Sequence, residues 1–441
     1  MARTISSEGP NTWAGLGVNI LATDSASLSN ALDGINFRHA RLVLDPDDPG
    51  LPSIANSDSD WDTFWARKIA IYQVTHLTLA SRHITVLYSF TRAPESWLDS
   101  TRELRGDALL AYARMAASAM YTCHRHNLAT EYIELCNAPS RSEGHMYMTP
   151  PNMVILVNYF KTLLAARSLD IHIIGPALDT LLPHNQPSEP YITVNAQWDA
   201  WSLRVVESEK DVIMYNTGSF VGRVYVKQRL DQTLRFMDRI RPGLRKIVTM
   251  FSSNASRFGS GIDYGPSASE TVEYALRIID TSCHIVNSGC MIAFAWFLLG
   301  RKHDHKALLR PNGTKRPQRD ALSILSHCLP VGGTIYTNTD LNEEDETIKV
   351  IVCKQNTFGI VLSRAQNTDG TMGVVQLEID NPAWQASSVY QITLTLTCFP
   401  SYVSTNNMPY TAEITSGVLN LKMSGVPYGC AIFIRGDVYD V

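Results

Sequence analysis

Ile84-Thr85-Val86-Leu87-Tyr88-Ser89-Phe90, then a helical pattern from about Gly106 to His126 rich in Ala, Leu and Met, then Tyr132-Ile133-Glu134-Leu135-Cys136-Asn137 make one β–α–β stretch. Both short runs are apolar on both faces, as strands covered on two sides must be. The segment between them has the length and the helix-forming residues of a crossover that returns the chain to a parallel neighbour. The question is how often this unit recurs.

It recurs in both directions. Towards the N-terminus lie His39-Ala40-Arg41-Leu42-Val43-Leu44 and Gly15-Leu16-Gly17-Val18-Asn19-Ile20-Leu21. A helix follows the former from Asp60 to Ser81, with apolar residues at 61, 64, 65, 69, 72 and 77, a 3–4 spacing that buries one stripe. The cluster Trp61, Phe64 and Trp65 reads as core. Towards the C-terminus a helix opens at Thr149-Pro150-Pro151. A fifth run is Ile171 to Pro176, with a helix near Asn195 to Glu207. The sixth is Asp211-Val212-Ile213-Met214-Tyr215-Asn216, with its helix from Lys227 to Arg241. The seventh is Lys246 to Phe251, with a helix from Ser267 to about Asn287, and the eighth is Cys290 to Phe297, with a last helix from Arg319 to Cys328. Eight β-then-α units predict a closed (β/α)₈ TIM barrel. A doubly wound sheet would also alternate, but no Gly-rich phosphate loop follows the first strand.

After Pro330-Val331-Gly332-Gly333 the helices stop. Period-2 runs succeed one another at 347–353, 358–363, 373–379, 390–398, 414–423 and 430–436, separated by turn signals such as Asn367-Thr368-Asp369-Gly370. These predict an all-β C-terminal β-sandwich. The division is a barrel over residues 1–329 and a sandwich over 330–441.

Composition narrows the partners. Hydrophobic residues make up 45% of the 441 and charged residues 18%, enough to bury a large core. A net charge of −4 with no Lys/Arg-rich run argues against nucleic acid and anionic membranes. No apolar stretch reaches the length of a membrane span, so membrane insertion is not expected. Residues 1–10 lack the apolar core of a secretory leader, so a cytoplasmic or particle-associated location (a virion included) is expected over classical secretion. The eight cysteines are scattered without a C-x-x-C pair and read as buried thiols. His124/His126 and His303/His305 are i, i+2 pairs that do not share a helix face, so no metal and no cofactor is expected.

A barrel does its chemistry at the C-terminal ends of its strands. Those ends read Arg41-Leu42-Val43-Leu44-Asp45, Glu134-Leu135-Cys136-Asn137-Ala138-Pro139, Tyr215-Asn216-Thr217-Gly218, Thr249-Met250-Phe251-Ser252 and Ala295-Trp296-Phe297-Leu298. This order resembles the barrel-plus-sandwich retaining glycosidases of the large (β/α)₈ clan that includes β-xylosidases, glucocerebrosidase-like enzymes and xylanases. In that clan the fourth strand characteristically ends Asn-Glu-Pro, its Glu the acid/base. The seventh ends in a segment like Thr-Glu-Phe, its Glu the nucleophile. The eighth commonly carries a Trp. Here Asn137 and Pro139 enclose Ala138, and Thr249 and Phe251 enclose Met250.

Retaining hydrolysis needs two carboxylates about 5–5.5 Å apart, one to attack and one to pass the proton. A methyl group and a thioether do neither, so the resemblance implies no catalytic residue at the vacated positions Ala138 and Met250. Glu143, Asp45, Asp47, Glu95 and Asp263 are the candidate substitute carboxylates, each more often a solvated loop charge or a cap. Glu134, deeper on the face of Ala138, is expected to pair with a basic residue such as Arg41. The ligand-binding candidates are Arg41, Asn137, Tyr215, Asn216 and Trp296. Tyr215 and Trp296 are either a sugar-stacking floor or rim packing, and Asn137 either meets a sugar hydroxyl or caps the turn. The resulting expectation is a catalytically degenerate glycosidase-like protein, with a glycan as ligand or protein partners in a larger assembly. The alternatives are a retaining glycosidase whose acid/base glutamate has been replaced, leaving Ala138, and one with relocated carboxylates. In such proteins the sandwich packs on the barrel, and here Cys353 and Cys398 are expected in its core.

Overall fold

Eight parallel strands close into a barrel in the computed structural model, which describes residues 3–5, 12–46, 50–137, 139, 146–179, 189–193, 197–206, 219–252, 270–299, 306–336, 348–364, 375–400, 408–424 and 430–440. Two short strands come first, β1 (Arg3–Ile5) and β2 (Thr12–Trp13). The barrel strands are β3 (Gly15–Ile20), β4 (His39–Leu44), β5 (Thr85–Phe90), β6 (Tyr132–Glu134), β7 (His172–Asp179), β8 (Ala200–Val206), β9 (Lys246–Ser252) and β10 (Ile292–Phe297). They pair in sequence order, and β10 returns to β3. Between them run α1 (Ser25–Leu32), α2 (Asp58–Ala80), α3 (Leu109–Arg125), α4 (Pro150–Ala166), α5 (Glu189–Thr193), α6 (Ser219–Ile240) and α7 (Val272–Asn287), with α8 (Pro317–Cys328) last. The start signals act as expected. Thr149 is the N-cap of α4 with Pro150 behind it, and Asp24 caps α1 by accepting from the Ser27 amide at 2.8 Å. Trp61, Phe64 and Trp65 are buried.

The sixth barrel strand differs from the reading of the sequence. It is Ala200–Val206, where a helix over Asn195–Glu207 was expected, while the run Asp211–Asn216 lies outside the described residues. Trp201, Leu203 and Val205 join the core on the helix side, whereas Ala200 joins the apolar layer inside the barrel. That is a period of two with both faces buried, which a helical reading of a short apolar stretch mimics. The sixth strand ends at Val206, and Tyr215 and Asn216 lie outside the described residues.

The rest of the chain is β11 (Gly333–Tyr336), β12 (Ile348–Lys354), β13 (Thr357–Arg364), β14 (Val375–Asp380), β15 (Tyr390–Phe399), β16 (Tyr410–Thr415), β17 (Val418–Met423) and β18 (Cys430–Asp440). The expected run 414–423 is in fact a hairpin, β16–β17. Ser416 and Gly417 both take positive φ (55° and 82°), as a two-residue turn of right-handed strands requires. One sheet has the order β15-β18-β13-β12-β11-β2 and the other β1-β14-β17-β16. The first strands of the chain thus belong to the sandwich, β1 parallel to β14 and β2 antiparallel to β11, and a boundary at 329/330 does not describe them.

Between the sheets Phe358, Ile360, Leu362, Ile432 and Ile434 meet Leu377, Ile379, Leu419, Leu421 and Met423, with Cys353 and Cys398 in the same core. All eight cysteines are free thiols and buried. The other face of the six-stranded sheet, with Val350, Val352, Val361 and Phe433, merges with the barrel core. The join is tight. A methyl group added at Gly359 would stand 2.4 Å from the Cys328 carbonyl oxygen at the end of α8. Arg435 donates to the His327 carbonyl at 2.9 Å, and Lys349 pairs with Asp280 at 3.7 Å in a buried bridge. Among the described residues no helix is long and apolar enough to cross a membrane.

Candidate functional site

The barrel interior is built in layers, because residues two apart on each strand point the same way. The lowest layer is apolar: Leu87, Tyr132, Ile174, Ala200, Ile247, Ile292 and Phe294. Above it lies a closed polar network. Glu134 Oε2 accepts from Arg41 Nε at 2.8 Å and from Ser89 Oγ at 2.7 Å, and Oε1 accepts from Ser202 Oγ at 2.6 Å. Arg41 also donates through Nη2 to Ser89 at 2.7 Å and through Nη1 to Asn19 Oδ1 at 2.7 Å. Asn19 in turn donates to the carbonyls of Thr249 (3.1 Å) and Ala295 (2.6 Å). Thr249 Oγ1 stands 3.1 Å from Ser202 Oγ.

Arg41 and Glu134 are both fully buried, the pairing expected from the sequence. Burial pushes the Glu134 carboxyl up, but the Arg41 guanidinium and the hydrogen bonds from Ser202, Ser89 and Arg41 outweigh it and hold its pKa below the usual carboxylate range. An ionised carboxylate with this set of donors ties four strands together. It meets no solvent, and neither does Arg41, which the sequence had offered as a ligand contact.

One step nearer the mouth, β9 carries a bulge. Leu203 lies opposite Val248 but Arg204 lies opposite Met250, and Ala293 and Ala295 of β10 face Val248 and Phe251. The extra residue puts Met250 on the same side as Thr249, while Val248 and Phe251 face the helices. Met250 is buried and its Sδ lies 3.6 Å from Arg204 Nη2. Ser252 ends the strand. Its buried Oγ has no hydrogen-bond partner among the described residues, and neither has Asn137 Oδ1 beyond the end of β6. Sequence reasoning named Asn137 and Met250 but missed Ser252, Asn19, Ser202 and Thr249. Alternation from Glu134 and Arg41 was the signal for the interior three, and the bulge hid Ser252.

At the rim, Trp296 is half-buried, with the Lys306 ammonium 5.3 Å above its ring and Phe297 edge-on at 6.0 Å. Asp45 accepts from Arg92 Nε at 3.0 Å, and Glu95 pairs with Arg102 on the surface. Ala138, Glu143, Asp47, Asp263, Tyr215 and Asn216 lie outside the described residues. Among the described residues no three His, Cys, Asp or Glu side chains group as a metal site requires.

No family model matches the chain, and no curated protein does. Solved structures do. A GH30 endoxylanase from Clostridium papyrosolvens C71 superposes with a TM-score of 0.65 at 13% identity, over 98% of this chain and 99% of that one. A glucosidase from Croceicoccus marinus gives 0.61 at 11% identity, over 98% of each chain. A GH39 enzyme from Xanthomonas axonopodis pv. citri gives 0.54 at 12% identity, over 99% of this chain and 97% of that one. Barrel and sandwich together, the chain has the fold of the (β/α)₈ glycoside hydrolases.

Proposed function

We propose that this chain is a glycan-binding protein on a retaining-glycosidase plan from which the chemistry has been lost. The observation that carries the reading is Met250 at one strand end together with two buried polar atoms that have no hydrogen-bond partner among the described residues. Met250 holds the position that the resemblance gives to a nucleophile, and a thioether forms no glycosyl ester. Asn137 Oδ1 and Ser252 Oγ, at the ends of the two strands that carry catalytic carboxylates in such enzymes, are buried without hydrogen-bond partners among the described residues. Leaving such atoms unpaired costs about 1–3 kcal/mol each, and sugar hydroxyls are groups of the right chemistry to satisfy them. Trp296 supplies an aromatic face at the same rim. Asp45 and Glu95, the described candidates for relocated carboxylates, are engaged by Arg92 and Arg102.

A role confined to assembly with protein partners is favoured by one feature, the Lys306 ammonium lying over Trp296 where a sugar ring would stack. A glycan array on the whole chain, with xylan among the probes, decides between them. Binding that falls about tenfold or more in Asn137→Ala and in Trp296→Ala supports the glycan reading. Absence of binding to every glycan supports the assembly reading. Hydrolysis of a β-linked glycan by the unaltered chain would return the protein to the enzymes.

A further inference from the structure

Of the four strands at the sheet edges, three are protected against pairing with another chain. β1 has three residues, β2 has two, and β16 carries an exposed Glu413 at mid-strand. Short edges and edge charges are the usual devices against unwanted pairing. β15 has neither. It is ten residues long, Tyr390-Gln391-Ile392-Thr393-Leu394-Thr395-Leu396-Thr397-Cys398-Phe399, without a charge or a proline. It pairs with β18 from Tyr390–Asp440 to Phe399–Ala431 with no bulge to twist it away. Among the described residues no strand pairs with its other edge.

Its faces are also incomplete. Ile392, Leu394 and Leu396 pack against the sandwich core and remain half-exposed, while Gln391, Thr393, Thr395 and Thr397 are exposed on the opposite face. The sequence names the occupant. Thr393-Leu394-Thr395-Leu396-Thr397 reads the same in both directions. We propose that β15 pairs antiparallel with β15 of a second copy of this chain, about a two-fold axis through Thr395, joining two six-stranded sheets into one.

In that register Thr393 lies opposite the partner copy's position 397, Leu394 opposite 396, and Ile392 opposite 398. Opposite residues of an antiparallel pair share a face, so threonines meet threonines on the outside and apolar side chains close the open edge of the core. An isologous contact requires a surface complementary to itself, which a palindromic strand is. The inference is independent of the glycan reading, since β15 lies in the sandwich and takes no part in the barrel mouth.

Sedimentation of the full chain tests it. Wild type should sediment at twice 49.0 kDa. Thr395→Lys and Thr395→Glu each place like charges face to face on the axis and should weaken the dimer about tenfold or more. Mixing the two variants in equal amounts should restore it, and Thr395→Val should keep it. A wild type that stays monomeric at tens of micromolar, or charged variants that dimerise like wild type, overturns the pairing. Should a charged variant lose its thermal unfolding transition, Thr395→Cys takes its place. A short bismaleimide should then link two copies through position 395, and failure to link them overturns the proposal.

Discussion

Glu134 shows how much a single side chain inside a parallel barrel can organise. Its two oxygens take hydrogen bonds from β4, β5 and β8, so removing the charge strands Arg41 in the interior. Breaking a buried pair on one side costs about 3–5 kcal/mol, and Glu134→Gln should lose stability of that order in urea unfolding at neutral pH. Changing Arg41 and Glu134 together to apolar residues of similar volume should cost less than the single change. The pH dependence has a definite sign. The folded pKa lies below the ordinary 4.5, so the stabilisation is complete above that value and fades as pH falls towards the folded pKa. The gap between wild type and Glu134→Gln should therefore narrow as pH drops below 4.5, and a gap that widened would contradict the assigned charge. The thiols give a second residue-scale expectation. Burial pushes Cys123, Cys290, Cys328 and Cys430 up to about 12 and raises the other four as well. A thiol reagent should find no fast-reacting cysteine in the native protein and all eight after denaturation.

The Arg41–Glu134 pair was legible in the sequence because a charge on a strand that is apolar on both sides needs a partner across the barrel. Neutral Asn19 and Thr249 carry no such demand and were passed over.

At the scale of elements, the strand readings held wherever β-branched runs stood between long helices. They slipped where the connecting helix was short. The described helix between β7 and β8, α5, has only five residues, and Ala200–Val206 passed for the helix itself. In the sandwich, a continuous run from 414 to 423 hid a hairpin whose turn signal is only Ser416-Gly417. That turn is exacting. A Cβ at Gly417 would meet the Trp384 carbonyl oxygen at 2.7 Å besides sitting at positive φ, so Gly417→Ala should cost roughly 1–3 kcal/mol in chemical unfolding. Gly359→Ala should cost a similar amount for a different reason, since the added methyl group displaces the C-terminus of α8 from the sheet. Its unfolding should also lose the single transition shared by barrel and sandwich if that contact couples them.

For the whole molecule, the two parts share a core, and the sequence alone drew the line between them too simply. The division into helix-rich and strand-rich halves was plain from periodicity. That β1 and β2 cross it was not, because strands of three and two residues leave no periodic signal. A fragment of residues 330–441 would expose the edges of β14 and β11 and the apolar face holding Val350, Val352 and Phe433. It should aggregate or give a poorly dispersed NMR spectrum. Adding residues 3–13 as a separate peptide should not rescue it, because α7 and α8 would still be missing.

The stitching of both ends of the chain into one sandwich also sets an order of events. Thr12 finds its neighbour at Thr334, and Arg3 at Leu377, so these first residues are made tens of seconds before the strands that receive them. Everything in between, the entire barrel, is in effect an insertion within the sandwich. The pairing of β1 with β14 and of β2 with β11 is then a long-range closure, of the kind whose loop-closure entropy slows folding.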